Sequence, residues 1–287
     1  MKPNFLKRPA PILLLAAGMF AGANASSAQY DRPLPPPAVS TPAVNDEPAV
    51  GAPAKPVGAS ITINKDEEDA YKVFYESRRQ NPAAQISLGE AFLNHFPQSR
   101  YRAAIYSRLT SAYLSAGQED KMFGAGDKAI ALDPDNVDIL ALLAMAIPRR
   151  IAPTAPDAQT QYHKAEGYAR HAIELTPKLA KPAGLSDAEF QQAKNEKVAE
   201  AYSGLGLIDT QRHNFEVART ELTQAVLLSA NPDPVNYFLL GNADVQTGYY
   251  NDAAASYQKC AATGPMIQQC LAGQELARQD AATKAGK

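Results

Sequence analysis

From Asn64 to the end of the chain, apolar residues recur at the three- and four-residue spacing of amphipathic helices. No segment of this part alternates apolar and polar residues as a half-buried strand would. Helix starts are marked by Pro82, Pro234 and Pro265, each directly after a helix-capping or turn residue, and by Ser186 with Glu189 at the spacing of a capping box. These signals predict ten or eleven helices, and the predicted fold class is all-α.

Two segments near the C-terminus repeat each other. Tyr202 and Tyr237, 35 residues apart, are each followed by Leu and Gly three and four positions later. Further small and large residues then recur at matching distances. Small side chains at such positions let two helices cross closely, so each segment is predicted to be a helix hairpin. The matched pairs are Leu205 and Leu240, Gly206 and Gly241, Ala218 and Ala253, Leu222 and Tyr257, Ala225 and Cys260, and the closing Pro232 and Pro265.

This pattern resembles the tetratricopeptide repeat. Weaker copies cover residues 66–97 and 136–177, inserts occupy 148–156 and 178–190, and the first helix of the 202–232 copy is expected to extend back to about Asp187. The resemblance implies an α-α superhelix, a solenoid of about five antiparallel helix pairs over residues 64–287 that ends in a polar capping helix. A further copy contains Tyr106, Leu109, Tyr113, Ala129 and Pro134, with Thr110, Met122 and Gly126 departing from the usual residue types.

The resemblance also implies where a partner would bind, because the first helices of successive repeats line a concave groove in this family. Most of the side chains counted to face that groove are small, uncharged and polar. They differ from the Lys and Asn set with which some members bind the terminal carboxylate of chaperones. An extended or helical protein segment is therefore the expected ligand. The groove positions are Ser107, Ser111, Ser115, Ser203, Leu207, Gln211, Phe238, Asn242 and Gln246.

The N-terminus has a different character. Residues 1–28 combine three basic residues with an apolar run and small residues, which is typical of a signal peptide cleaved after Ala25 or Ala28. An uncleaved anchor is the alternative, although the run is short for a membrane span. Residues 29–63 are rich in proline and predict a disordered linker. We expect an exported protein, most simply a periplasmic one, with a secreted or N-terminally anchored protein as alternatives.

Charge narrows the class of partner. Cleavage would leave 25 basic residues against 30 acidic ones. No cluster of Lys and Arg with interleaved aromatics is present, which argues against nucleic acid as a partner. No segment after the signal peptide is apolar enough to span a membrane.

Residues that could carry catalysis are scattered. His95, His163, His171 and His213 lack the spacing of metal ligands, and the acidic run 66–69 is typical of a helix N-terminus. No phosphate-binding loop or nucleophile motif occurs. We therefore expect no enzyme activity, no cofactor and no metal.

Cys260 and Cys270 are the two cysteines of the chain. In an exported protein they are expected to form a disulfide between the last repeat and the capping helix, the alternative being two free thiols. The sequence as a whole predicts an adaptor that binds another protein in the cell envelope. The alternatives are a structural component whose repeats stack end to end and, less simply, an enzyme scaffold.

Overall fold

The computed structural model describes residues 64–77, 81–262, 264 and 266–286. These ranges contain eleven α-helices, one short 3-10 helix at Thr176–Lys178, and no strand, which confirms the all-α class. The signal peptide and linker predicted for residues 1–63, and the helix start predicted at Pro265, lie outside the described residues. The described chain divides into two compact units between Pro134 and Asp135.

The first unit contains two helix hairpins. Its helices are α1 (Lys65–Glu76), α2 (Pro82–His95), α3 (Arg102–Ser115) and α4 (Glu119–Leu132). The side chains of Asn64 and Asn81 accept backbone N–H groups of the first turns of α1 and α2, so both helices begin at a capped end. Tyr71 stacks on Tyr101 with ring centroids 3.7 Å apart, which joins α1 to the start of α3.

The second unit begins with three helices of unequal length. They are α5 (Val137–Arg150), α6 (Ala158–Leu175) and α7 (Asp187–Gln211), the last being the longest of the described helices at 25 residues. The capping box predicted at Ser186 and Glu189 is present, and α7 starts at Asp187 as the sequence indicates. The helix α7 packs against both α5 and α6.

Four further helices complete this unit, and with α7 they form the hairpins α7–α8 and α9–α10 followed by one more helix. The elements are α8 (Phe215–Leu228), α9 (Pro234–Thr247), α10 (Tyr250–Ala262) and α11 (Ile267–Ala285). Consecutive helices pack pairwise along the chain, α7 on α8, α8 on α9, α9 on α10 and α10 on α11.

The glycines of the repeated pattern lie where the helices of a hairpin cross. A Cβ on Gly206 would approach Leu222 to 2.5 Å, and a Cβ on Gly241 would approach the ring of Tyr257 to 2.8 Å. Both contacts are too short for any larger residue, so the two hairpins use the same crossing. The other repeat positions agree: Leu109, Leu205, Ala218, Ala225, Leu240, Ala253 and Tyr257 are buried, and Tyr106, Tyr202 and Tyr237 are half-buried.

The first insert differs from its prediction. The sequence predicts a connection between helices at 148–156, but α5 continues through Pro148 and ends at Arg150. Pro148 is buried at the end of an apolar run of α5, directly after Ile147, which is 4% exposed. The burial of this apolar turn offsets the loss of the backbone hydrogen bond that proline cannot donate.

The C-terminal helix is fastened to the last repeat. Cys260 on α10 and Cys270 on α11 form a disulfide, which confirms the predicted pairing, and both residues are fully buried. The helix is less polar on its surface than the sequence suggests, since Ile267, Leu271 and Leu276 are 42%, 45% and 55% exposed.

Candidate functional site

The surface predicted to bind a partner is the face formed by the first helices of the hairpins, which we call the first-helix face. In the second unit it comprises α7 and α9, and in the first unit it comprises α3.

Three predicted groove residues are buried instead of accessible. Ser203 and Leu207 on α7 are each 3% exposed, and Phe238 on α9 is 7% exposed. Leu207 belongs to the core formed around Ala218 and Leu222, and the ring of Phe238 packs edge-on against Tyr257 at 6.0 Å between centroids. These side chains hold the hairpins together and offer no surface to a ligand.

Ser203 is the centre of a polar network that links three helices. Its hydroxyl donates to Oδ1 of Asn236 at 2.6 Å and accepts from the guanidinium of Arg149 at 3.3 Å. Arg149 also forms an ion pair with Asp233 at 2.8 Å. Arg149 and a hydrogen bond from the backbone of Val235 keep the pKa of Asp233 below its usual value, against the opposing effect of burial. These polar groups form hydrogen bonds and an ion pair with one another. The network therefore holds α5, α7 and α9 in position.

The accessible part of the predicted surface in the second unit is carried by three amide side chains. Gln246 is exposed, whereas Asn242 and Gln211 are half-buried. Asn242 accepts a hydrogen bond from the hydroxyl of Tyr257 at 2.6 Å, and Gln211 donates to the carbonyl of Pro148 at 3.3 Å. Gln246 is therefore the predicted position of this unit that a partner could reach most freely.

In the first unit, the three serines lie on α3 at four-residue spacing. Ser107 and Ser111 are half-buried and Ser115 is exposed, where its hydroxyl donates to the carbonyl of Ser111 at 3.0 Å. This face can offer hydroxyl groups and little charge.

A buried pair of carboxyls is not evident from the sequence. Asp209 on α7 and Glu221 on α8 are each 9% exposed, and Oε2 of Glu221 is buried without a hydrogen-bond partner. Burial, together with the neighbouring Asp209, raises the pKa of Glu221 to about 8. Helical periodicity places both residues on their helices, but it does not show which polar positions are covered by a third helix.

Another acidic group, Asp244 on α9, is 2% exposed and is paired. Arg219 on α8 binds its carboxylate at 2.7 Å and also lies 3.8 Å above the ring of Tyr249. Burial raises the pKa of Asp244, and the guanidinium of Arg219 opposes that shift. This pair connects α8 to α9 and to the turn that follows.

An open cleft of about 410 Å³ lies where the end of α11 meets the turn between α9 and α10. Lys284 donates to the carbonyl of Gly248 at 2.9 Å and lies 5.5 Å from the ring centroid of Tyr250. The ammonium group of Lys284 in this cleft is therefore already bound by other groups of the chain.

The ranges that the structure covers contain neither a metal-binding cluster nor a helix that could span a membrane. No cluster of three or more His, Cys, Asp or Glu side chains there could hold a metal ion. The helices of the same ranges are each too short or too polar to span a bilayer. Among the histidines, His171 lies 2.7 Å from Asp135 on the surface.

Comparison with known proteins finds similar folds at low identity. No protein-family model and no curated protein matches the chain. A solved structure of a MamA RS-1 double mutant has 16% identity and a TM-score of 0.47, covering 69% of this chain and 94% of its own. TTC0263, a tetratricopeptide protein of Thermus thermophilus, has 17% identity and a TM-score of 0.44, covering 74% and 99%. PilW, a type IV pilus biogenesis factor, has 15% identity and a TM-score of 0.48, covering 77% and 93%.

The glycine crossings give the architecture independently of those comparisons. Gly206 against Leu222 and Gly241 against Tyr257 lie at the positions where the tetratricopeptide pattern has its small and large residues. The hairpins α7–α8 and α9–α10 therefore have their close crossings at the positions that the repeated sequence pattern predicts.

Proposed function

We propose that this protein is an interaction adaptor of the cell envelope that binds a segment of another protein on its first-helix face. The observation that carries the proposal is the arrangement of α7 and α9, in which buried side chains fix the hairpins while Gln246 stays exposed and Asn242 stays half-accessible. Such helix pairs provide surfaces for protein ligands in many unrelated systems.

The chemistry of the accessible side chains suggests what kind of segment would bind. Amide groups can donate to and accept from a peptide backbone, and they impose no charge on the partner. An uncharged or weakly charged segment, extended or helical, fits this surface better than an acidic tail. Arg149 of the neighbouring helix α5 does not change this, because it is paired with Asp233.

Location in the envelope rests on residues 1–63, whose sequence has the pattern of a signal peptide followed by a proline-rich linker. Mass spectrometry of the full-length gene product from cell fractions tests it. We expect a mature protein that begins at Ser26 or Gln29 and is found outside the cytoplasm. An intact N-terminus in the cytoplasmic fraction would refute this part of the proposal.

The binding surface is tested by a matched pair of glutamine variants of the full chain. Gln246→Lys places a bulky charge on the first-helix face, whereas Gln258→Lys places the same charge on an exposed position of α10. Crosslinking in the envelope followed by purification should recover a partner with the wild type and with the Gln258 variant but not with the Gln246 variant. If both variants retain every partner, the binding surface is not on α9.

A self-associating structural component is a second candidate, because Ile267 and Leu271 leave an exposed apolar strip on α11. The mass of a self-associating component in solution should rise with protein concentration, whereas the mass of an adaptor should stay constant.

A further inference from the structure

The crossing of α7 and α8 buries two acidic side chains together. Asp209 and Glu221 are each 9% exposed, and Asp209 is close enough to Glu221 to contribute to the raised pKa of its carboxyl. Asn214 donates to Oδ1 of Asp209 at 2.8 Å, but Oε2 of Glu221 has no partner. Two ionised carboxylates in such a place would repel each other and would lack hydration.

The other charged groups around the pair offset the repulsion only in part. On α6, Arg170 lowers the pKa of Glu221 and Glu166 raises it, but burial and Asp209 outweigh Arg170 and the pKa stays raised. The carboxylate of Glu166 is occupied by Arg212, with N to O distances of 2.6 and 3.2 Å.

The remaining helix packed on α8 is α9, and its buried acid Asp244 is bound by Arg219. No cluster of three acidic, histidine or cysteine ligands suited to a metal ion exists among the described residues. A proton is thus the species that can resolve the repulsion between the two carboxyls.

We propose that the buried carboxyl of Glu221 holds a proton beside Asp209 at neutral pH and forms a proton-dependent contact that stabilises the α7–α8 hairpin. With the proton present, Glu221 is neutral and the pair tolerates burial. When the proton leaves, a second negative charge appears at the helix crossing, and hydration of that charge requires α8 to move away from α7.

The direction of the pH effect follows from linkage. Burial raises the pKa of Glu221 to about 8 in the folded protein, whereas an unfolded glutamate titrates near its ordinary pKa of 4.5. The stabilisation from the bound proton is therefore complete below about pH 4.5 and is lost as the pH rises through 8. Between pH 6 and pH 8 the unfolding equilibrium constant should rise up to roughly fifty-fold more in the wild type than in a variant without this carboxyl.

The full chain with carboxyl-labelled Asp and Glu tests the proposal directly by NMR. We expect one glutamate carbon resonance to titrate near pH 8, to be absent in Glu221→Gln, and to shift to lower pH in Asp209→Asn. A Glu221 resonance that titrates in the normal glutamate range would overturn the proposal, whether or not the variants fold.

Stability and local opening provide the second measurement. Denaturant unfolding of the wild type should lose stability from pH 6 to pH 8 relative to Glu221→Gln, and Glu216→Gln, an exposed glutamate of the same helix, should behave as the wild type. Amide exchange in α7 and α8 should accelerate over the same range. Equal pH dependence of the wild type and Glu221→Gln would contradict the proposal.

Discussion

At the scale of single residues, the crossing of α5 and α7 depends on a proline and a glycine. Pro148 lies inside α5 and has no N–H, so the carbonyl of Ala144, four residues earlier, loses its usual helical donor. Gly204 on α7 meets this carbonyl group directly, and a Cβ there would lie 2.7 Å from the carbonyl carbon of Ala144. The two helices can approach this closely because α7 has no side chain at the contact.

Gly204→Ala should therefore destabilise the protein, by about 2–3 kcal/mol, because the clash is with backbone and cannot be relieved by rotating a side chain. Gly167→Ala is the matched control, since Gly167 lies inside α6 and a Cβ added there would meet nothing within 4 Å. That change should instead stabilise the protein by about 0.5–1 kcal/mol. Urea unfolding of both variants measures the difference, and a Gly204 variant as stable as the wild type would show that the helices can separate without cost.

The sequence reveals this residue-level detail only in part. The recurring spacing predicts Gly206 and Gly241 as crossing points, and the structure places them at crossings. Gly204 has no counterpart in the next repeat, where the matching residue is Leu239, so spacing cannot identify it. Counting along the repeat assigns Ser203 to the groove, but its burial depends on Arg149 and Asn236, which come from other helices.

At the scale of helices, α11 packs on the last repeat through a glycine and a tyrosine. It packs on α10, and its Gly273 meets the ring of Tyr257, the same ring that Gly241 of α9 meets. Tyr257 of α10 takes the place of the smaller Leu222 in the preceding hairpin. A Cβ on Gly273 would lie 2.8 Å from the Tyr257 ring, so the smaller residue makes room for the larger one.

The disulfide fixes this terminal helix to the last repeat. Replacing both cysteines by alanine should cost about 2.5–3 kcal/mol, because the bridge closes a loop of 10 residues and restricts the unfolded chain. An alanine should be accommodated at position 260, because the matched residue of the preceding hairpin, Ala225, is fully buried.

Denaturant unfolding of the wild type under oxidising and reducing conditions, beside the double alanine variant, measures this contribution. The reduced wild type and the variant should share the lower stability, and amide exchange should rise first in α11. If oxidised and reduced proteins unfold at the same denaturant concentration, the bridge does not hold the helix in place.

At the scale of the whole molecule, the exposed side of α11 bears on whether the protein self-associates. Glu275 and Arg278 are exposed and follow Ile267 and Leu271 on α11 at helical spacing, so charged side chains interrupt the apolar strip of this helix. The sequence indicates a polar end but not the exposure of Ile267 and Leu271, because helical periodicity alone does not show which flank of a terminal helix is left uncovered.

We therefore expect the full-length chain to sediment with a mass that does not grow with concentration. Glu275→Leu combined with Arg278→Leu would join the exposed Ile267 and Leu271 into a larger apolar strip and should drive association. Glu216→Leu, a single change on the exposed side of α8, controls for added hydrophobicity. Sedimentation velocity across a range of concentrations measures all three proteins. A wild type whose mass already rises with concentration would favour the structural component over the adaptor, because the strip on α11 would then be sufficient for stacking without the two changes.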